Sequence, residues 1–102
     1  MDAGTYDLAA VRNAEVDYWS ASAVRFGDWE FRPNACEVWD YKLETCVLLS
    51  ELEAYVLMLL IKAWPEYRKQ SKDISKMTVS RIRHRCGRAL ILSDRRGYRF
   101  SP

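Results

Sequence analysis

The chain has 102 residues, of which 49% are hydrophobic and 13% aromatic, a composition that suits one folded domain. The longest apolar run, residues 56–61, is far shorter than the roughly 20 residues that a membrane-spanning helix needs. The acidic first residues lack the basic start and apolar stretch of a secretory signal. We therefore expect a soluble, cytoplasmic protein without membrane association.

The residues that usually carry catalysis or metal binding are few and widely spaced. The three cysteines, Cys36, Cys46 and Cys86, are an odd set without C-x-x-C spacing, so neither a disulfide framework nor a zinc site is expected. The single histidine, His84, has no adjacent nucleophile, and the four glycines form no phosphate-binding loop. We therefore expect no enzyme activity, no metal and no cofactor.

The net charge of +2 conceals a strong separation of charge along the chain. Residues 1–54 include four basic and eleven acidic residues, a net charge of −7. Residues 55–102 include twelve basic and three acidic ones, a net charge of +9. Such a separation is typical of a surface for nucleic acid or another polyanion. The alternative is that the two halves pair with each other within one domain.

Residues 1–22 are expected to form an N-terminal extension to one domain that spans residues 23–102. In the extension, Leu8, Val11 and Ala14 fit one weak helical stripe, which allows a helix. This segment could dock on the domain, mediate dimerisation or stay mobile.

From Val24 the hydrophobic period changes to two, which is the pattern of half-buried strands. Residues 24–31, 35–41 and 45–49 are each expected to form a strand, with a turn at the Pro33-Asn34 step. Three short strands with short connections predict an antiparallel meander.

At Ser50 the pattern changes to that of a helix. Ser50 and Glu53 have the spacing of a capping box, in which each side chain binds the other's backbone N–H. The apolar residues that recur at three- and four-residue intervals, and that we expect to face the core, are Leu52, Tyr55, Val56, Leu59, Leu60 and Ala63. Trp64 should end the helix, because a residue before proline avoids the helical region.

A short second helix is expected within residues 65–75. Pro65 suits the first turn of a helix, and Glu66 would interact favourably with the helix dipole. Tyr67 and Ile74 would then be its inward points.

A third helix is expected over residues 78–88, where Val79, Ile82 and Cys86 share one face and Gly87 signals its end. If that face is buried, a rotation of 100° per residue turns another set outward. This outward set comprises Met77, Ser80, Arg81, His84, Arg85 and Arg88, with Arg83 at its flank. Arginine and serine on one helix face suit the base edges and phosphates of a DNA major groove.

The C-terminal residues predict a β-hairpin. Residues 89–93 and 98–100 are short strand candidates, and residues 94–97 join them. Gly97 is expected to adopt a positive φ in the turn. Arg95 and Arg96 would lie at the tip, where they could touch the DNA backbone or a minor groove.

Several stretches resemble the DNA-binding effector domain of OmpR/PhoB-type response regulators. "VSRIRHR" is similar to that family's "I-S-R-L-R-R-K", and "RRGYRF" is similar to its terminal "G-x-G-Y-R-F". The resemblance covers residues 24–100 and implies an α+β fold. That fold is a winged helix-turn-helix with an N-terminal antiparallel β-meander, three helices and a C-terminal β-hairpin wing. The chain has fewer residues than the family before "VSRIR", so the second helix is trimmed or replaced by a loop, and no receiver domain is expected.

The resemblance also implies roles for individual residues. Arg81 matches the family's base-facing arginine, and one of the two tip arginines matches the arginine of the wing. Thr78, Ser80 and Arg83 match positions that contact phosphates or neighbouring bases. Together with the outward helix face, the predicted DNA-binding residues are Thr78, Ser80, Arg81, Arg83, His84, Arg85, Arg88, Arg95 and Arg96.

These observations favour a small sequence-specific transcriptional regulator that binds double-stranded DNA with its basic helix in the major groove. Binding by one copy would be weak, so we expect a homodimer or a regulatory protein partner through the N-terminal extension or the acidic sheet. The alternative is a protein–protein interaction module that binds another regulator, RNA polymerase or a secretion component. RNA or membrane-surface binding through the basic half is a third, weaker alternative, and RNA is less supported because no aromatic ladder interleaves the arginines.

Overall fold

The structure, a computed structural model, describes Thr5–Asp7 and residues 23–102. The predicted helical stripe at Leu8, Val11 and Ala14 lies outside the described residues, and Thr5–Asp7 form a strand. In chain order the strands and helices are β1 (Thr5–Asp7), β2 (Ala23–Phe26), β3 (Trp29–Arg32), β4 (Glu37–Asp40), β5 (Thr45–Leu48), α1 (Glu51–Ala63), α2 (Lys76–Cys86), β6 (Ile91–Asp94) and β7 (Gly97–Phe100).

The first five strands form one sheet in the order β1-β2-β3-β4-β5. β1 pairs with β2 in parallel, and the other neighbours are antiparallel. The prediction of a single strand over residues 24–31 is wrong, because Gly27 takes a φ of 60° and turns the chain between β2 and β3. Across that turn Val24 pairs with Phe31, and Phe31 pairs in turn with Val38, so all three lie on the buried face of the sheet.

One hydrophobic core joins the sheet, both helices and the C-terminal hairpin. The ring of Phe26 meets that of Phe100 edge to face, with the ring centroids 4.8 Å apart. Phe31 and Phe100 are both fully buried, so the hairpin shares its core with the sheet. None of the described helices is long and apolar enough to cross a bilayer.

Helix α1 begins with the predicted capping box but buries a different face from the predicted one. The Ser50 hydroxyl accepts from the Glu53 N–H at 3.1 Å, and the Glu53 carboxylate accepts from the Ser50 N–H at 3.0 Å. Leu52 and Tyr55 are 49% and 37% exposed, so their prediction as core residues is wrong. The residues that α1 buries are Glu53, Ala54, Val56, Leu57, Met58, Leu60 and Ile61. The helix is apolar on several sides, so its hydrophobic spacing allowed more than one rotation.

Residues 65–75 form no helix, so the prediction of a three-helix winged helix-turn-helix is wrong. The described chain is an α+β fold with two α-helices, the five-stranded sheet and the two-stranded β6-β7 sheet. Instead of a helix, Arg68 makes a β-bridge to Tyr98, with N···O distances of 2.7 and 2.8 Å in the two directions. Six consecutive polar residues separate Tyr67 from Ile74, so a helix here would have no continuous apolar stripe. The loop alternative is the one that the structure confirms.

Helix α2 and the hairpin follow the predicted pattern closely. The Ser75 hydroxyl caps α2 by accepting from the Thr78 N–H at 3.2 Å. The predicted inward residues Val79, Ile82 and Cys86 are all buried. Gly87 is the C-cap of α2. In the hairpin, Asp94 pairs with Gly97, and the glycine takes the predicted positive φ, at 118°.

Candidate nucleic-acid interface

An open groove of about 650 Å³ runs between α2 and the β6-β7 hairpin. Its lining residues are Lys69, Gln70, Lys76, Ser80, Arg83, Ser93, Asp94, Arg95, Arg96, Gly97 and Tyr98. Five of these residues are basic and one is acidic, so the groove is strongly positive. Two smaller depressions continue the same surface along α2 through Ser80, Arg81, His84 and Arg85.

The central part of the predicted reading face is exposed. Ser80, Arg81 and His84 lie on the outer side of α2, and Met77, one turn nearer its start, is 63% exposed. Arg81 makes no hydrogen bond or ion pair with the residues that the structure describes. These side chains are therefore available to a ligand that lies along α2.

Arg83 contacts the hairpin. Its Nε and Nη2 atoms donate to the Ile91 carbonyl at 3.0 and 2.7 Å, and its guanidinium lies 5.8 Å from the centre of the Tyr98 ring. The side chain is half-buried. Arg83 therefore joins α2 to β6 and β7 and sets the width of the groove that it also lines.

Arg85 is compensated by a buried carboxylate. Its Nε atom lies 3.1 Å from a carboxylate oxygen of Glu53, whose side chain is 4% exposed. Its Nη1 atom also donates to the Leu48 carbonyl at 3.4 Å. Arg85 therefore ties α2 to the start of α1, and less of its charge is available to a ligand than the sequence predicted.

Thr78, a predicted contact residue, is not presented on this surface. Thr78 is 4% exposed, and its hydroxyl lies 2.9 Å from the capping hydroxyl of Ser75, so its role is in the first turn of α2. Arg88 begins the 3₁₀ turn Arg88–Leu90, and its side chain lies outside what the structure describes.

The two arginines at the hairpin tip differ. Arg96 donates to the Asp94 carboxylate, with an Nη2···Oδ2 distance of 2.5 Å, and lies 4.0 Å from the centre of the Tyr67 ring. Arg95 is exposed and forms no ion pair with any residue in the described ranges. Arg95 is therefore the tip residue best placed to meet a phosphate.

Asp94 provides a measurable sign of the tip geometry. Hydrogen bonds from the Arg96 side chain and from its backbone N–H lower the pKa of Asp94 from 3.8 to about 2. Because this pKa is depressed in the folded protein, the Asp94–Arg96 contact contributes above pH 3.8 and is lost as the pH falls through about 2. We expect carboxyl NMR to show Asp94 titrating near pH 2, and Arg96→Ala to move its pKa back toward 3.8. An unshifted Asp94 in the unsubstituted protein would contradict the tip geometry.

The acidic residues of the sheet do not cover α2. Glu30 is buried between Arg25 and Arg32, with N···O distances of 3.9 and 2.9 Å, and Arg32 also lies 3.7 Å from Glu37. Asp40 accepts from two backbone N–H groups of the β4-β5 turn. Glu30 and Glu37 are therefore paired within the sheet, and Arg85–Glu53 is the ion pair that links α2 to the acidic half among the described residues.

Comparison with protein-family models, curated proteins and solved structures finds no match for this chain.

Sequence reasoning missed Lys69, Gln70, Lys76 and Ser93 as lining residues of the groove. Lys76 lies two residues before the predicted start of the third helix, so its place in the first turn of α2 could have marked it. Lys69 and Gln70 carried no such signal, because the segment that contains them was predicted to be helical. Their place follows from the bridge between Arg68 and Tyr98.

Proposed function

We propose that this protein binds double-stranded DNA and recognises its sequence through the exposed face of α2, as a small transcriptional regulator. The observation that carries the proposal is the exposure of Ser80, Arg81 and His84 beside a groove with five basic lining residues. A surface of this kind binds the phosphate backbone and offers side chains to base edges at the same time. The proposal includes a cytoplasmic location.

The dimensions of α2 suit this role. Its 11 residues span about 16 Å, and an α-helix fits the major groove of B-DNA, which is about 12 Å wide. An arginine on such a helix can donate two hydrogen bonds to O6 and N7 of a guanine. Arg81 is the best candidate, and the similarity of "VSRIRHR" to the OmpR/PhoB motif supports the same residue.

The hairpin supplies a second contact in this proposal. Arg95 extends the positive surface beyond α2, where it would meet the backbone or an adjacent minor groove. Arg96 holds the turn in shape through Asp94 and Tyr67. Contacts from both α2 and the hairpin to one duplex would fix the orientation of α2 in the groove as well as strengthen binding.

Arg81→Ala tests the proposal. On a preferred duplex selected from a random pool, we expect this change to weaken binding by about 1–3 kcal/mol and to relax the preference at one base pair. The measurement is fluorescence anisotropy on matched duplexes that differ at that base pair. Arg25→Ala is the matched control, because it removes an exposed arginine from the sheet and should leave the preference unchanged.

Two results would argue against DNA reading. Failure of the folded protein to bind any duplex at low salt would reject the function, and an unchanged preference in Arg81→Ala would reject the role of that residue. The second candidate is then a protein–protein interaction module. Leu48 and Leu52 favour it, because they are 63% and 49% exposed beside the edge strand β5. A partner protein or a second copy of the chain could cover them.

A further inference from the structure

Residues 67–70, which follow α1, are fixed along the hairpin by several contacts. Arg68 exchanges two backbone hydrogen bonds with Tyr98, at 2.7 and 2.8 Å. The Tyr67 ring lies 4.0 Å from the guanidinium carbon of Arg96 and 5.6 Å from that of Arg99. The backbone of Arg68 packs directly against Gly97, where a side chain would collide with it. Lys69, the next residue, is therefore presented from a defined backbone position.

This segment forms a third wall of the groove. Lys69 and Gln70 line it from the segment, Lys76 and Ser80 line it from α2, and Arg95 lines it from the hairpin tip. Lys69 and Lys76 are both exposed, and neither makes an ion pair within the described part of the chain. The one acidic lining residue, Asp94, is already paired with Arg96. Three cationic side chains from three separate elements thus border one groove without a described counter-charge.

The composition of the groove indicates the ligand chemistry. Lysine is a compact, rotatable charge that binds phosphate oxygens without a fixed geometry, while the Ser80 hydroxyl and the Gln70 amide can donate hydrogen bonds beside it. The groove is open, and along α2 it continues into the surface around His84. An extended polyanion matches this shape better than one compact anion does.

We propose that the groove binds the phosphodiester backbone of one DNA strand, with Lys69 and Lys76 holding two adjacent phosphates. This proposal depends on the DNA-binding function above and adds an element that the sequence did not suggest, the segment of residues 67–70. Arg81, on the outer face of α2, would contact base edges. The two lysines would fix the position of the DNA backbone beside the helix.

The first test is the salt dependence of duplex binding. Each lysine that neutralises a phosphate contributes about 0.9 to the slope of log affinity against log salt concentration. We expect Lys69→Gln and Lys76→Gln each to lower that slope by about one unit, and the double variant to lower it by about two. Lys72→Gln is the matched control, because Lys72 is an exposed lysine two residues beyond Gln70 that does not line the groove. Its slope should stay close to that of the unsubstituted protein.

The second test locates the phosphate. Duplexes that carry a neutral methylphosphonate at one position at a time should show two adjacent positions where binding falls. Methylphosphonate at those positions should weaken binding by the Lys69→Gln/Lys76→Gln variant only a little, relative to the unmodified duplex. It should weaken binding by Lys72→Gln as much as it weakens binding by the unsubstituted protein.

The outcomes separate this proposal from the proposed function. The protein could bind duplex DNA with a site preference and yet show the same salt slope in all three single variants, or the same loss of affinity at every methylphosphonate position. Either result would overturn the phosphate site and leave base reading intact. No duplex binding by the folded protein would overturn both. Tighter binding to duplex RNA than to duplex DNA of the same sequence would overturn the assignment to DNA.

Discussion

Gly97→Ala is expected to lower the free energy of unfolding by about 3 kcal/mol, through backbone strain and the loss of two hydrogen bonds. Gly97 has a φ of 118°, a conformation that side chains rarely adopt. A Cβ atom there would also overlap the carbonyl group of Arg68. Relief of the overlap requires residues 67–70 to move away from β7, which breaks the paired hydrogen bonds between Arg68 and Tyr98. Urea denaturation followed by circular dichroism measures the loss.

Gly87→Ala separates the steric part of this effect from the backbone part. Gly87 has a similar φ of 106°, but no atom lies within 4 Å of the position that its Cβ would occupy. We expect this control to lose about 1 kcal/mol, from backbone strain alone. Equal losses in the two variants would show that residues 67–70 do not pack on Gly97 as described. Because those residues carry Lys69, Gly97→Ala should also reduce DNA affinity, whereas Gly87→Ala should reduce it less.

Glu53→Ala is expected to lower the free energy of unfolding by about 3 kcal/mol, because one carboxylate supports two elements. Its Oε1 atom accepts from the Ser50 N–H at the start of α1, and the same atom lies 3.1 Å from Nε of Arg85 in α2. Truncation leaves the Ser50 N–H without its side-chain partner and Arg85 without its counter-charge. Glu51→Ala is the control, since Glu51 lies exposed in the same turn and should change stability by less than about 0.5 kcal/mol.

A double-mutant cycle isolates the ion pair from the cap. We expect Glu53→Ala and Arg85→Ala to be non-additive by about 1 kcal/mol, a modest value because the Arg85 side chain is 49% exposed. Additive losses would mean that Glu53 acts only through the capping box. A measurable coupling would show that the position of α2 on α1 depends on an arginine that sequence reasoning assigned to DNA.

Local patterns were enough to predict most of the elements. The alternation of apolar and polar residues from Val24 indicated strands, and the spacing of Ser50 and Glu53 indicated the helix start. Each of these signals depends on residues close in the chain or on a simple period, so the sequence alone carries it.

The errors arose where distant residues compete for the same backbone or the same core. The apolar spacing of α1 allowed more than one buried face. In the structure Glu53 faces Arg85 of α2, and Leu52 is exposed to solvent. Residues 65–75 gain more from pairing Arg68 with Tyr98 and burying Ile74 than from a polar helix. Neither competition is visible within a short window of sequence.

The sequence by itself determined the α+β character, the buried face of α2, the hairpin with its glycine turn, and the exposure of Ser80, Arg81 and His84. Only the tertiary structure decided which groups the basic side chains contact. Arg83 donates to a carbonyl of the hairpin and Arg85 pairs with a buried carboxylate, while a backbone bridge at Arg68 places Lys69 beside the groove. The physical reason is that electrostatic interaction falls with distance, so the groups nearest in space determine what a charged side chain contacts. For these residues the nearest groups lie on another element of the fold.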